Sequence, residues 1–324
     1  VSEGSATTQS AARSELARAE QWARSNTFDG SEYDAKRIAE IKRETTISVV
    51  IPVKEAALTV GRVAASCLRL RDAGAIDEVI VIDADSEDGS AQTASSVGAI
   101  VHQESELLTE FGPPSGKGDA LWRGLSVSSG DIVVFVDSDS EAFDGTFVTG
   151  LAGPLLTDPN LQLVKGAFDR PFTSAGVRIE GGGGRVNELV ARPLLNMYFP
   201  ELAAVRQPLA GEIAARRSAL VELPFCTGYG VEIQLLIDFY KRFGLDAIAQ
   251  SDIGERLNQH QTLEALGPMA YAVLTSLLAG SADAPSGLAE SGEFLGYFEG
   301  EIGYRDITPE LRPPLASLED ASGA

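Results

Sequence analysis

Between residues 47 and 137 the chain alternates short, almost wholly apolar runs with stretches whose apolar residues recur at helical spacing. Ile47–Pro52, Glu78–Asp83, Ala99–His102 and Asp131–Asp137 are rich in Val and Ile. They are too short for helices. Continuous apolarity, rather than alternation, marks strands buried on both faces. The spacing predicts helices over 58–72, 90–97 and 120–128, with a Gly/Pro-rich loop over 111–118. Strand, helix, strand, helix at this spacing implies an α/β fold: an open, mostly parallel sheet with right-handed crossovers. The pattern is more mixed further on. A strand over 161–168 is predicted, then helical spacing over 185–198 that Pro193 interrupts, a helix over 230–243, a short strand over 247–249 and a helix over 263–278. An N-terminal helical arm precedes the sheet. The tail from residue 280, rich in Gly, Ser, Pro and acids, is expected to be loosely held.

Charge and composition narrow the function. A net charge of −21 argues against a nucleic-acid surface, which needs clustered cations. It leaves phosphate-bearing small substrates open, because a few local cations or a bound divalent metal suffice for them. No apolar run approaches the ~20 residues of a membrane span, and the chain reads as cytoplasmic. Two distant cysteines and two histidines do not support a disulfide framework or a Cys/His zinc cluster.

Ligands of open parallel sheets bind at the carboxyl ends of the strands, so the polar residues there are the candidates. Asp137-Ser138-Asp139 follows the fourth strand. Residues i and i+2 of extended backbone point the same way, which lets two carboxylates converge on Mg²⁺ or Mn²⁺. Asp83-Ala84-Asp85-Ser86 and Pro52-Val53-Lys54-Glu55 end two other strands and suit either base and ribose contacts or helix capping. Gly116-Lys117-Gly118 precedes a helix and reads as an anion loop or a simple turn. Gly181 to Gly184, followed by Arg185-Val186-Asn187, offers backbone N–H groups and side-chain donors to a phosphate or carboxylate. His260 is a metal-ligand candidate or a surface residue, whereas His102 reads as structural.

These segments resemble the nucleotide-sugar domain of GT-A glycosyltransferases. Gly182–Leu195, Gln207–Glu212, Gly228–Ile233 and Gly244–Gln250 narrow the resemblance to retaining glucosyl- or mannosyl-3-phosphoglycerate synthases of the actinobacterial type. The resemblance implies hexose transfer from an NDP-sugar (GDP-mannose, GDP-glucose or UDP-glucose) to the 2-hydroxyl of 3-phosphoglycerate, with the anomeric configuration kept. It implies a Mg²⁺ or Mn²⁺ cofactor and a homodimer. It divides the chain into the arm (1–45), a nucleotide-sugar-binding part (46–150), an acceptor-binding part that completes the GT-A domain (151–280) and the tail (281–324). Pro52, Glu55, Ala84, Lys117, Asp137, Ser138, Leu209 and Tyr229 fall on nucleotide-sugar positions. Gly184, Arg185, Val186 and Asn187 match the acceptor loop. Asp139, Glu232 and Arg185 fall at the reaction centre, and Asp139 with His260 or Asn258 makes the metal site. Two departures stand out. Val53-Lys54 replaces the Asn-Glu of the mycobacterial enzymes, and Asn258 stands where the family has its metal histidine while His260 stands where it has asparagine. A sugar nucleotidyltransferase shares such a sheet, but it needs a glycine-rich anion loop directly after the first strand. Another GT-A transferase with a different acceptor is the other alternative.

Overall fold

The computed structural model describes residues 3–174, 177–179, 184–256, 262–282, 292–298 and 301–318. One sheet holds eight strands: β1 (Thr27–Asp29), β2 (Ile47–Val53), β3 (Glu78–Asp83), β4 (Ile100–Gln103), β5 (Ile132–Phe135), β6 (Leu163–Asp169), β7 (Ile213–Arg216) and β8 (Ile248–Glu255). Their spatial order is β1-β8-β6-β7-β5-β2-β3-β4. Every neighbouring pair is parallel except the two that β7 makes, with β5 and β6. Ten α-helices are described: α1 (Glu3–Ser25), α2 (Ala35–Ile41), α3 (Val60–Asp72), α4 (Ser90–Ser96), α5 (Gly116–Val127), α6 (Thr146–Thr157), α7 (Arg192–Tyr198), α8 (Arg217–Leu220), α9 (Val231–Phe243) and α10 (Leu263–Ala279).

Helices cover both faces of the sheet, which is why its central strands are continuously apolar. On β5, Val133 and Phe135 join α5, α7, α9 and α10 in one core, while Ile132 and Val134 join α2, α3, α4 and α6 in the other. Trp22 of α1 is buried in the first core, and its indole N–H donates to the Ile248 carbonyl at 2.8 Å, fixing the arm to β8.

The structure departs from the sequence reading in several places. The short strand expected at 247–249 runs on to Glu255, because buried polar residues continue it: the Gln250 amide donates to Thr27 Oγ1 at 2.9 Å and accepts from the Arg206 N–H at 2.9 Å. Strand β7 carries no apolar signature beyond Ile213-Ala214-Ala215, and alanine has little strand preference. Helix α5 starts at Gly116, inside the expected loop. The 185–198 stretch is a π-turn, Asn187–Ala191, followed by α7, and the wider turn places Pro193 in the first turn of α7, where its missing N–H costs little. The tail is also tied down. Leu311–Arg312 pairs antiparallel with Phe225–Cys226, and the buried Arg312 grips Asp119 at 2.8 and 3.0 Å.

Candidate active site

The strand-end triplet lies at the carboxyl edge of β5, and the chain brings charged groups to it from four other elements. Two glycines make this possible at α5. A Cβ on Gly118 would lie 1.8 Å from the Cys226 carbonyl oxygen, and one on Gly116 would lie 3.1 Å from the Gly228 Cα. The glycines thus serve close approach to the protein's own 226–228 segment, and Lys117 between them turns inward. Its Nζ lies 2.6 Å from Asp137 Oδ1 and 2.7 Å from Glu232 Oε1, at the start of α9. Burial opposes the lysine's charge, but Asp137 and Glu232 together outweigh it and raise its pKa above the ordinary value.

Arg256, at the end of β8, forms the other half of the cluster. Beyond Asp252 the β8–β6 register shifts, Gly254 takes a φ of +88°, and the strand kinks to deliver Arg256 to the sheet edge. Its Nη2 reaches Asp137 Oδ2 at 2.7 Å and Asp139 Oδ1 at 3.0 Å, and its Nη1 lies 2.8 Å from the Glu212 carboxylate. Burial would raise the pKa of Asp137, but Lys117 and Arg256 hold it well below the usual carboxylate range. Burial pushes Glu212 up in spite of Arg256. Gly211 lies directly beneath: a Cβ there would meet Lys117 Nζ at 2.4 Å and Asp137 Oδ1 at 2.5 Å. Below the cluster, Lys165 of β6 is buried and donates to the Ala210 carbonyl at 2.7 Å; burial pushes its pKa down to about 8.

Asp137, Ser138, Lys117 and Glu232 are thus gathered with Asp139 in one cluster. Leu209 adjoins it through the 207–212 segment, where its N–H donates to Asn187 Oδ1 at 3.4 Å. That contact brings the 184–187 loop to the site. Gly184 has a φ of +71°, in the left-handed region, and Asn187 is buried with its amide on Glu188 at 2.8 Å. Arg185 and Val186 are partly exposed beside it, and Tyr229, at the N-terminal end of α9, is about half exposed. Gly181, Gly182, Gly183, Asn258 and His260 lie outside the described residues. Pro52, Glu55 and Ala84 sit at the ends of β2 and β3, the two strands next to β5 on the side away from β7. There the loops are stitched to each other. The Ala84 N–H donates to the Val53 carbonyl at 2.8 Å, Ser86 Oγ accepts from the Glu55 N–H at 3.0 Å, and Glu55 Oε1 accepts from the Glu87 N–H at 3.0 Å. Asp83, fully buried, accepts from the Ser86 N–H at 2.9 Å and closes the turn after β3, but it caps no helix: α4 starts at Ser90 with Gly89 as its N-cap.

Among the described residues no three His, Cys, Asp or Glu side chains converge as a metal site, and the oxygen donor offered to a hard divalent cation is the Asp139 carboxylate. Asp137 has both oxygens engaged by cations, whereas the Asp139 side chain is 63% exposed at the strand edge, where it would hold such an ion together with diphosphate oxygens and water. Arg256, Glu212, Lys165 and Arg170 were missed by the sequence reading. Each is an isolated charge in a strand or turn, and their only signal is a charged residue inside or directly after an otherwise buried strand.

The segment 48–206 matches the family model described as glycosyl transferase family 2. The glucosyl-3-phosphoglycerate synthase of Mycolicibacterium smegmatis is 40% identical over 307 residues, covering 92% of this chain and 98% of that protein. The crystal structure of mannosyl-3-phosphoglycerate synthase from Rubrobacter xylanophilus superimposes with a TM-score of 0.82 at 39% identity, covering 92% of this chain and 99% of that one. The Mycobacterium tuberculosis glucosyl-3-phosphoglycerate synthase in complex with Mn²⁺, UDP-glucose and phosphoglyceric acid superimposes with a TM-score of 0.80 at 41% identity, covering 88% and 95%. With a GT-A-like mixed sheet, an acidic strand end at its carboxyl edge and these likenesses over nearly its whole length, the chain belongs to the glucosyl-/mannosyl-3-phosphoglycerate synthases, a family of hexosyltransferases.

Proposed function

We propose that this protein moves mannose or glucose from an NDP-sugar to the 2-hydroxyl of 3-phosphoglycerate, keeping the anomeric configuration. The observation that carries the reading is the contiguity of two sites. The Lys117–Asp137–Arg256–Asp139 cluster joins, through Leu209 and Asn187, the Gly184–Asn187 loop. A diphosphate and a small anionic acceptor would therefore bind side by side.

Each residue then has a physical task. Lys117 and Arg256 present fixed positive charge to the donor's diphosphate, in a site where burial strengthens every charge interaction. Pro52, Glu55 and Ala84 hold the nucleoside at the ends of β2 and β3, and the Val53-Lys54 departure leaves both guanosine and uridine donors open. Glu232, fixed by Lys117, orients the hexose with Leu209 and Tyr229. Arg185, the Gly184 backbone, Val186 and Asn187 hold the acceptor in line with the anomeric carbon, which removes part of the entropic barrier. Asp139, with His260 or Asn258, would hold Mg²⁺ or Mn²⁺, which would supply positive charge against the charge developing on the leaving diphosphate. The acceptor proton passes to the leaving phosphate on the same face, so no protein base is required. The reading also carries a homodimer in the cytoplasm.

The test is a product assay. Enzyme, Mg²⁺ and 3-phosphoglycerate are incubated separately with GDP-mannose, GDP-glucose and UDP-glucose, and the phosphorylated glycoside is identified. At least one donor is expected to yield it. Arg185→Ala is expected to raise the KM for 3-phosphoglycerate with little change in that for the donor. Unchanged acceptor kinetics would remove Arg185 from the acceptor site.

A further inference from the structure

Arg170 stands at the corner that follows β6, and its surroundings are unusual for an arginine in so acidic a chain. Its guanidinium stacks 5.4 Å from the centroid of the Phe168 ring, which is itself buried. Arg256 packs against the same ring at 5.8 Å. The Arg170 Nε is shielded from solvent and has no hydrogen-bond partner, and among the described residues Arg170 makes no ion pair. The side chain is half-buried, and a shielded N–H left without an acceptor costs free energy that an incoming anion would recover. Burial, then the neighbouring Arg256, push its pKa down, and Glu212, Asp137 and Asp139 pull it back only through space. Those three carboxylates already face Arg256.

The position of Arg170 indicates what it is kept for. A Cβ on Gly184 would lie 3.8 Å from Arg170 Cδ and 3.6 Å from Asn187 Cβ, so the arginine flanks the loop that presents Arg185 and Asn187. It shares the Phe168 ring with Arg256 of the charged cluster, which links the loop to that cluster. The acceptor of the proposed reaction has two anionic groups, a carboxylate and a phosphate, at its two ends, and a single arginine grips one of them at a time.

We infer that Arg170 is a second acceptor-binding cation, engaging the anionic group of 3-phosphoglycerate that Arg185 does not hold. Its unpartnered Nε and planar fork suit the paired oxygens of a carboxylate or a phosphate. Phe168 holds the fork in place before the acceptor arrives.

This inference rests on the proposed function, and one experiment separates the two. Wild-type enzyme is first assayed with 3-phosphoglycerate; no product with any donor would sink the proposed function. With turnover established, Arg170→Gln is expected to raise the KM for 3-phosphoglycerate by ~10-fold or more, as for loss of one charge-assisted hydrogen bond. The donor KM should stay within about twofold, and Arg170→Lys should fall between. Glycerol 3-phosphate, which lacks the carboxylate, and glycerate, which lacks the phosphate, identify the group. The variant should bind as well as wild type whichever compound lacks the partner of Arg170. Equal losses on both compounds, an unchanged KM for 3-phosphoglycerate, or matching rises in donor and acceptor KM would overturn the inference. If Arg170→Gln does not fold, calorimetric binding of 3-phosphoglycerate to Arg170→Lys decides instead: weaker binding than wild type with an unchanged unfolding midpoint supports it, and equal binding overturns it.

Discussion

The two halves of the sheet are built by different physics. In β2, β3 and β5 the side chains between the strand ends are apolar except Ser48 and buried except Pro52, and the charged groups stand at or beyond the ends, as in Glu78, Asp83 and Asp137 to Asp139. In β6 and β8 charged and polar groups are buried within the strands: Lys165 under the site, and Gln250 and Ser251 beside β1. An apolar strand needs only a greasy neighbour, whereas a buried polar one needs a particular partner. The first half can therefore lose a site residue and keep its fold, while the second couples fold and site.

The largest expected effect tests the first half of that contrast. Asp139→Ala removes an exposed carboxylate from a strand edge and leaves the core untouched. Product formation is expected to fall by ~10³-fold, the upper range for loss of one electrostatic stabiliser. The unfolding midpoint should stay within the scatter of a surface substitution. A comparable fall in stability would break the comparison, because it would make the strand-end acid part of the scaffold.

Next in size is a buried pair that crosses from the tail to the site. Asp119 is fully buried one turn into α5, and it takes a two-pronged bond from Arg312 and a contact from Arg123 Nε at 3.2 Å. Arg312→Leu leaves that carboxylate short of a cation and should destabilise the fold by ~3 kcal/mol, as for a broken buried ion pair. Chemical denaturation with an unchanged m-value measures it. A loss within ~0.5 kcal/mol, typical of a surface change, would mean that Arg123 alone satisfies Asp119.

This contrast also explains what could be read from the sequence. The parallel strands and their helices were legible because Ile47 to Val53 or Ile132 to Phe135 declare themselves by composition. So were Asp137, Asp139 and Lys117, whose spacing and flanking glycines are local. Arg256, Glu212 and Lys165 were not, since each acquires meaning only from partners tens of residues away: Arg256 from Asp137, Glu212 from Arg256, Lys165 from the Ala210 carbonyl. β7 was hidden for a related reason, because an alanine-rich strand of four residues is specified by the two strands that flank it. Gly116 and Gly118 read as an anion loop or a simple turn, and neither reading contained their use here, which is close approach to the 226–228 segment.

The smallest effect sharpens the comparison from the other side. Lys165 is buried with a pKa near 8 against an ordinary value of 10.5. Between those two values the unfolded chain binds the extra proton and the folded one has released it. This group's contribution to stability therefore rises with pH from about 8 to 10.5, and its penalty is fully present below 8. Lys165→Met removes that dependence. From pH 8 to pH 9 the wild type should gain up to ~1 kcal/mol relative to the variant, the size of a shift of less than one pKa unit. Denaturation of both proteins at the two pH values isolates the difference, since their other titrating groups are shared. An identical slope in the two proteins would show that Lys165 keeps its proton across this range, held by Glu232, Glu212 and Asp137. The lysine would then belong to the charged cluster above it, and the buried charge of β6 would be paired in the same way as that of Arg256.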